Sequence, residues 1–258
     1  MVVLITGATD GLGRGLARAL DAAGETVLVH GRSDERIAET LAELGDHARG
    51  YRADLASLDE VRRLADEVRE AEPRLDVLVN NAGIGTTVPG DGERQESADG
   101  YELRFAVNYL AGFLLTHRLL DLLRRSAPSR IVNVSSAGQA PINFDDVMLE
   151  RGYSGMQAYC QSKLAQVMFT FDLAEQLAGD GVIATCLHPA TYMPTKIVRS
   201  PASTLQEGID ATLRLIIGPA DEVAGRYFTG THESRADAQA YDADARRRLR
   251  ELSERLTA

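Results

Sequence analysis

Three observations predict an α/β fold built as one domain around a doubly wound parallel sheet. Short apolar runs alternate with stretches of helical periodicity along most of the chain, which is typical of repeated strand-helix-strand units. A glycine-rich turn directly follows the first apolar run, where open α/β sheets place ligands. The length of 258 residues suits one extended core of this class. We expect six or seven strands, with helices on both faces of the sheet.

The first half of the chain supplies four strand signals in order, in the segments VVLIT, TVLVH, GYRADL and LDVLVNNAG. The helices between them are expected to end near Gly24, Gly45 and Pro73. Gly24 and Gly45 stand where the end of a helix favours a positive φ. Ser57 and Glu60 have the spacing of a capping box, so we expect the third helix to begin there.

The second half continues the alternation. It predicts a long helix from about Gly100 to Ser126, the strand RIVNVSS, a helix from about Gln157 to Ala178, and the strands VIATCLH and GRYF before a charged terminal helix. Residues 86–100 and 137–155 are weakly patterned and rich in turn residues. We interpret both segments as loops over the C-terminal edge of the sheet.

Composition argues against several classes of partner. A net charge of −10 and a pI near 5.0 repel polyanions, which argues against nucleic acid or an anionic membrane. The sequence has no basic leader and no apolar stretch of about twenty residues, so we expect a cytoplasmic protein without a membrane span. Cys160, Cys186 and the five scattered histidines lack the spacing of a disulfide framework or a metal site. A small soluble molecule is the expected partner.

The glycine-rich turn has the spacing Gly7-x-x-x-Gly11-x-Gly13. It follows a strand and enters a helix, where glycines let the backbone approach a diphosphate and the helix N-terminus offers free N–H groups. The alternative interpretation is a tight turn that binds nothing.

With Thr6 in front, the segment TGATDGLG resembles the glycine loop of the short-chain dehydrogenase/reductase family. Five further motifs follow in order: NNAG at residues 80–83, Asn108 in the long helix, NVSS ending a strand, YCQSK opening a helix, and His188-Pro189. The resemblance implies one NAD(P)-binding Rossmann-type domain over residues 1–258. The pattern is nearest to the retinol-dehydrogenase-like branch, because of the segment NYLAGFLLT, the long interval from Ser136 to Tyr159, and the strand GRYF.

Tyr159 and Lys163 have the spacing that proton transfer to a carbonyl requires. They stand four residues apart at a predicted helix start, so they share one face of the helix. A tyrosine with a pKa of about 10 is a weak acid at neutral pH, and a neighbouring cation lowers that pKa. The chain keeps Lys163 although only two of its 28 basic residues are lysines. The alternative interpretation is an exposed helix lysine beside a core tyrosine.

The resemblance implies two more catalytic residues. Ser136 is the second serine of its doublet and would polarise the substrate carbonyl, whereas Ser135 is expected to cap the strand end. Asn108 would hold a water that relays protons toward Lys163. The alternative for Asn108 is a structural amide that bonds neighbouring backbone.

The resemblance also implies a set of residues that contact the cofactor. Asn80 is expected to brace the sheet instead, and Ala190 stands where the family often has a glycine after the proline. The expected cofactor contacts are Thr6, Gly7, Asp10, Gly11, Leu12, Gly13, Asp54, Leu55, Asn81, Ala82, Gly83, Tyr159, Lys163 and Pro189.

Arg32 favours NADP(H) over NAD(H). It follows the second strand, in TVLVHGRS, where an arginine would pair with a 2′-phosphate and a carboxylate would repel it. Asp10 counts against this preference, because many NADP-preferring relatives have a basic residue there. The alternative is that Arg32 is an ordinary surface arginine.

We expect an oxidoreductase that interconverts a carbonyl and an alcohol, with substrate loops near residues 137–156 and 190–204. Their apolar residues suit a medium or large apolar substrate; these are Ile142, Phe144, Met148, Met156 and Met193. The alternative for the first loop is a rigid flap. The alternative functions are a non-catalytic dinucleotide-binding sensor or scaffold and an NAD-dependent alcohol dehydrogenase. The sequence leaves a homo-oligomer open.

Overall fold

The computed structural model of the protein describes residues 1–87, 92–191, 193–194 and 202–258. These residues contain one eight-stranded sheet with the strand order β3-β2-β1-β4-β5-β6-β7-β8. The strands are β1 (Val2–Ile5), β2 (Thr26–Gly31), β3 (Arg49–Arg52), β4 (Val77–Asn80), β5 (Ser129–Val134), β6 (Val182–His188), β7 (Tyr227–Thr229) and β8 (His232–Glu233). Strands β1 to β7 pair in parallel, and β8 pairs antiparallel to β7. This is the predicted doubly wound α/β fold.

The helices cover both faces of the sheet. They are α1 (Gly11–Ala22), α2 (Asp34–Leu41), α3 (Leu58–Ala71), α4 (Leu103–Phe105), α5 (Ala111–Arg125), α6 (Gly155–Gln176), α7 (Leu205–Ile217), α8 (Ala220–Val223) and α9 (Ala243–Leu256). One apolar core lies between the sheet and α1 and α7, and the other lies under α3, α5 and α6. The central strands are continuous apolar runs because both of their faces are covered.

The structure confirms the predicted positive φ of Gly24 and corrects the same prediction for Gly45. Gly24 follows α1 with a φ of 82°, as expected. The prediction for Gly45 is wrong, because α2 ends at Leu41 and is capped by Ala42 in right-handed conformation. Gly45 does not adopt a positive φ.

The capping box before α3 forms only in part. The Ser57 hydroxyl accepts the Glu60 N–H at 3.4 Å, as expected. The Glu60 carboxylate accepts the N–H of Asp54 at 2.9 Å instead of returning to Ser57. Glu60 therefore fixes the turn that leaves β3.

The predicted long helix contains a π-helical segment. It begins at Leu103, passes through a π-helical turn at Ala106–Leu110, and continues as α5 to Arg125. The apolar periodicity does not reveal this turn, because one extra residue shifts the buried face only slightly. Asn108 lies within it.

Three elements were missed in the sequence, namely α7, the four-residue α8 and β8. Helix α7 packs on α1, with Ile209 and Leu215 in the core that Leu16 shares, in a region where we expected no helix. Strand β8 has only two residues, which is too short to show an alternating pattern.

Candidate active site

The glycine loop has the geometry of a phosphate-binding turn at the N-terminus of α1. Asp10 caps this helix and accepts the N–H of Gly11 at 2.8 Å. Gly7 has a φ of 67°. A Cβ on Gly13 would lie 2.3 Å from the Gly7 carbonyl oxygen, so only glycine lets the helix approach the loop this closely. These residues fit a dinucleotide diphosphate, because backbone N–H groups at a helix N-terminus favour an anion.

His30 supports the glycine loop through a hydrogen bond to Gly7. The sequence motifs did not predict this role. Its Nδ1 accepts the Gly7 N–H at 3.1 Å, and its Nε2 lies 3.1 Å from the Ala53 carbonyl oxygen. Since Nδ1 accepts, the proton is on Nε2 and is donated to Ala53. Burial lowers the pKa of His30 to about 4, so the ring is neutral. A histidine in the apolar strand TVLVH was the signal that could have revealed it.

Thr6 joins the glycine loop to the NNAG segment. Its buried hydroxyl accepts the N–H groups of Asn81 at 2.9 Å and Ala82 at 3.0 Å. The Asn81 amide donates to the Thr6 carbonyl oxygen at 2.8 Å. The side chains of Thr6 and Asn81 therefore bind the two segments to each other.

Asn80 braces the sheet, as expected. Its amide donates to Asn133 of β5 at 2.9 Å and to Thr116 of α5 at 3.0 Å. Its own Oδ1 is buried and has no hydrogen-bond partner among the described residues.

Arg32 and Asp54 lie at neighbouring strand ends. Arg32 is exposed after β2, and none of the described residues forms a hydrogen bond or ion pair with it. Asp10 pairs with Arg36 at 2.9 Å. Asp54 accepts the N–H of Ala56 at 3.0 Å, and the next residue, Leu55, is buried in the core.

The side chain of Asn108 clamps the segment that follows NNAG. Its Oδ1 accepts the N–H of Ile84 at 2.8 Å, and its Nδ2 donates to the Ile84 carbonyl at 3.2 Å. Nδ2 also donates to the Ser162 hydroxyl on α6 at 2.9 Å. Both hydrogens of the side-chain amide are donated to protein acceptors. A water that relays protons would therefore have to bind another atom of Asn108.

Arg104, one helical turn before Asn108, also holds the segment that follows NNAG. The sequence motifs did not predict this role. The guanidinium is fully buried and donates to the carbonyls of Gly85 at 2.8 Å and Thr86 at 3.0 Å. It also donates at 2.7 Å to the hydroxyl of Tyr153, which donates to Glu102 at 2.9 Å. Arg104 thus ties the segment after NNAG to the residues that lead into α6. The signal was a charged residue four positions before Asn108, on the same helix face.

Ser136, Tyr159 and Lys163 come together at the C-terminal edge of the sheet. Ser136 follows β5, and the other two lie on α6. A Cβ on Gly138 would lie 3.5 Å from Ser136 Oγ and 3.8 Å from Cε1 of Tyr159, so these two side chains lie side by side, and Lys163 Nζ lies 5.8 Å from the centroid of the Tyr159 ring. The Ser136 hydroxyl also accepts the N–H of Gly138 at 3.0 Å. The structure therefore assembles the predicted catalytic residues in one place.

Burial governs the protonation of this cluster. It raises the pKa of Tyr159, and the neighbouring Ser136 hydroxyl offsets this only in part. Burial also lowers the pKa of Lys163 to about 7. Lys163 Nζ donates to the Val134 carbonyl and to Gln166, and its effect on the pKa of Tyr159 stays a prediction.

Ser135 has the structural role expected of it. Its hydroxyl donates to the Lys163 carbonyl at 2.8 Å. The Ser136 carbonyl accepts from Tyr227 at 3.0 Å and from Gln139 at 2.9 Å. Tyr227 of strand β7 and Gln139, three residues after Ser136, thus fix the backbone of Ser136.

The first predicted substrate loop is packed against the C-terminal part of the chain. Ile142 is 4% exposed, and its backbone N–H and carbonyl both bond to Gln239. The prediction that Ile142 contacts substrate is therefore wrong. Phe144 packs under the guanidinium of Arg248 at 4.5 Å, which agrees with a rigid flap. Met156, 59% exposed, lies one turn before Tyr159 and is available to a ligand.

The second predicted substrate loop, near residues 190–204, lies partly outside the described residues, which omit 192 and 195–201. Met193 packs on α7, where it contacts Gly208. Before this loop, His188 ends β6 with its Nε2 3.1 Å from the Thr191 hydroxyl, and Pro189 is buried beside it. The pKa of His188 is lowered by burial and by the charge of Lys163, which places these two residues near each other.

The described part of the chain offers no group of three or more His, Cys, Asp or Glu that could hold a metal ion. Both cysteines are free. No helix within the described ranges is long and apolar enough to cross a membrane.

Comparison with known proteins gives similarity over nearly the whole chain. A family model described as short chain dehydrogenase matches residues 1–205. The chain is 35% identical to retinol dehydrogenase 13 of Homo sapiens, with 98% of this chain and 83% of that protein covered. It is 36% identical to retinol dehydrogenase 14 of Homo sapiens, with coverage of 98% and 84%. A solved structure of an uncharacterized protein from Mycobacterium paratuberculosis matches with a TM-score of 0.82 at 32% identity, covering 99% of this chain and 92% of that one. The match to the family model spans the glycine loop and Ser136, Tyr159 and Lys163.

Proposed function

Because the chain belongs to the short-chain dehydrogenase/reductase family, in its retinol-dehydrogenase-like branch, it is an oxidoreductase that acts on CH–OH and C=O groups with NAD(P). We propose that it uses NADP(H), with Tyr159 as the acid and base. The observation that carries this proposal is the position of Tyr159, which lies beside the Ser136 side chain and has Lys163 Nζ 5.8 Å from the centroid of its ring.

The cleft residues fit a dinucleotide in one orientation. The N-terminus of α1 and the turn from Gly7 to Gly13 would hold the diphosphate. The backbone of Asn81 and Ala82 would line the adenosine side. A Cβ on Gly83 would lie 3.5 Å from Lys163 Nζ, so the absent side chain leaves space for the nicotinamide ribose at the ammonium. The bound nicotinamide supplies the hydride for reduction and accepts it in oxidation.

The protein residues bind the carbonyl and move the proton. Ser136 would donate a hydrogen bond to the carbonyl oxygen and hold it beside Tyr159. Tyr159 would donate its phenolic proton to that oxygen during reduction, and its phenolate would accept the alcohol proton in the reverse direction. An ammonium at Lys163 favours the phenolate, and so opposes the rise in pKa that burial causes at Tyr159.

The preference for NADP(H) is supported by the charges around the end of β2. Arg32 is exposed there and keeps its guanidinium free of partners among the described residues. Asp10, the residue that counted against NADP(H), is paired with Arg36 at 2.9 Å. This ion pair offsets the negative charge that would otherwise repel a 2′-phosphate.

We also propose an apolar substrate and a cytoplasmic location. Met156 is exposed one helical turn before Tyr159, which supports an apolar carbonyl substrate. Two free cysteines and a net charge of −10 support a cytoplasmic location.

A spectrophotometric assay tests the proposed function. The purified protein is mixed with NADPH or NADH and with a panel of aldehydes, aliphatic ketones, aromatic ketones and quinones, and cofactor oxidation is followed. Tyr159→Phe provides the background rate. We expect NADPH oxidation with at least one apolar carbonyl, above that background. Tight NADPH binding without turnover of any panel member, or of the corresponding alcohols with NADP⁺, would instead indicate a dinucleotide-binding sensor.

A further inference from the structure

Two neutral acceptors hold the ammonium of Lys163. Nζ donates to the carbonyl oxygen of Val134 at 3.0 Å and to Oε1 of Gln166 at 2.9 Å. Gln166 lies one turn further along α6, and it is 4% exposed. An ammonium has three donors, so one N–H remains for a ligand. Gly83 also borders the ammonium, because a Cβ there would lie 3.5 Å from Nζ and 3.2 Å from Asn108 Oδ1.

A small cavity borders Gln166. Its volume is about 10 Å³, close to the space that one water molecule needs. Asn80 and Gln166 both line it, together with Thr6 and Asn108. The Asn80 Oδ1 is the buried acceptor that has no partner among the described residues. Among the described residues, the Gln166 amide is hydrogen-bonded through its Oε1, which leaves its Nε2 for a water.

We propose that Gln166 is a positioning residue for Lys163, and that a water in this cavity fixes its orientation by accepting from Gln166 Nε2 and donating to Asn80 Oδ1. The inference rests on the proposed function, in which Lys163 holds the cofactor ribose and assists Tyr159. An amide flipped by 180° would turn its NH₂ group toward the ammonium. The water opposes this flip, because it needs a donor on the side of Gln166 that faces Asn80.

The contact acts on the charge of Lys163. A hydrogen bond to the charged form favours that form, so Gln166 keeps protonated an ammonium that burial would otherwise neutralise. The titratable groups that face Nζ are Tyr159 on α6 and His188 at the end of β6. Tyr159 and His188 can both be neutral in the pH range in which Lys163 titrates. We therefore expect replacement of Gln166 to change the pKa of Lys163 most directly.

The chain allows a direct measurement, because Lys163 and Lys196 are its only lysines. Growth with lysine labelled with ¹³C at the ε carbon gives two NMR signals, and Lys196→Arg assigns them. The pKa of Lys163 is then read from a pH titration of the full chain without substrate. We expect Gln166→Met to lower this pKa, and Gln166→Glu, which has nearly the same shape, to raise it by about one unit or more.

A matched control uses the other buried glutamine of α6. Gln161 is 1% exposed and bonds to the backbone of Val147 and Asn143, away from Lys163. Gln161→Met should leave the pKa of Lys163 unchanged while it removes a buried amide from the same helix. Unchanged Lys163 pKa values in both Gln166 variants, or an equal shift in Gln161→Met, would overturn the proposal.

Two further measurements test the positioning role of Gln166 and the proposed water independently of the proposed function. We expect Gln166→Met to weaken NADPH binding about 3- to 10-fold by fluorescence titration, because the ammonium loses one anchor. A high-resolution crystal structure should place a water between Asn80 and Gln166, and an empty cavity would overturn that part. If the pKa moves but no carbonyl is reduced, the proposed function fails and the positioning role stands. If carbonyls are reduced and the pKa stays fixed, the positioning role fails.

Discussion

Gly7 donates its backbone N–H to Nδ1 of the buried His30 across 3.1 Å. The other ring nitrogen donates to Ala53 at the end of β3. One neutral imidazole therefore connects the glycine loop, β2 and the turn after β3. Protonation of His30 would replace the acceptor for Gly7 with a second donor, and would place a charge in the core.

This contact predicts a pH dependence of stability. The folded pKa of His30 is about 4, below the ordinary value of about 6.5, so the unfolded chain binds the proton more readily. The stabilisation is complete above pH 6.5 and is lost as the pH falls toward 4. Removing this histidine should reduce the drop in unfolding free energy between pH 7.5 and pH 5 by about 2 kcal/mol.

Urea unfolding of His30→Asn measures this difference, and the new amide can still accept from Gly7. The matched control is His232→Asn, which removes an exposed histidine from β8. His117 and His188, whose pKa values burial also lowers, keep their share of the pH dependence in every variant. An unchanged pH dependence in His30→Asn would contradict the assignment.

Arg104→Met should destabilise the protein by about 3 to 5 kcal/mol. The change leaves Glu102, which is 1% exposed, without its cationic neighbour, and releases the carbonyls of Gly85 and Thr86. Chemical denaturation measures the loss. The double variant Arg104→Met/Glu102→Gln should recover part of it, since no uncompensated charge remains. A loss of less than about 1 kcal/mol in the single variant would show that the cluster contributes little.

Arg32→Asp should erase or invert the preference for NADPH, with little change in kcat at saturating NADH. The expected contribution of Arg32 is about 1.5 to 3 kcal/mol, or roughly 10- to 150-fold in affinity. Steady-state kinetics with both cofactors measures the ratio of the two kcat/KM values. Arg255→Asp, with the same charge change on α9, is the control. Equal kcat/KM for NADPH and NADH in the unchanged protein would refute the preference and leave the oxidoreductase assignment intact.

Local patterns predicted most of the fold and the centre of the site. The central strands are apolar runs such as VVLI in β1, which short-range periodicity detects. Tyr159 and Lys163 are neighbours on one helix, so their spacing alone brings them together. The structure keeps the glycine loop where the strand and helix signals put it.

The missed residues act over long sequence separations. His30 contacts Gly7 from 23 residues away, and Arg104 reaches Gly85 from 19. No periodicity records such contacts, because they depend on how the loops cross the sheet edge. Ile142 has the apolar character expected of a substrate contact, but its 97-residue link to Gln239 places it in the core. These contacts required the tertiary structure.

The most direct test of the assigned chemistry is Tyr159→Phe, assayed for both turnover and cofactor binding. The phenyl ring keeps the shape of the site and removes only the proton donor. We expect kcat on the best carbonyl substrate to fall by about 100-fold or more, while NADPH affinity, measured by fluorescence titration, stays nearly unchanged. A Tyr159→Phe variant that binds NADPH and keeps the wild-type kcat on that substrate would contradict the assignment of Tyr159 as the acid and base.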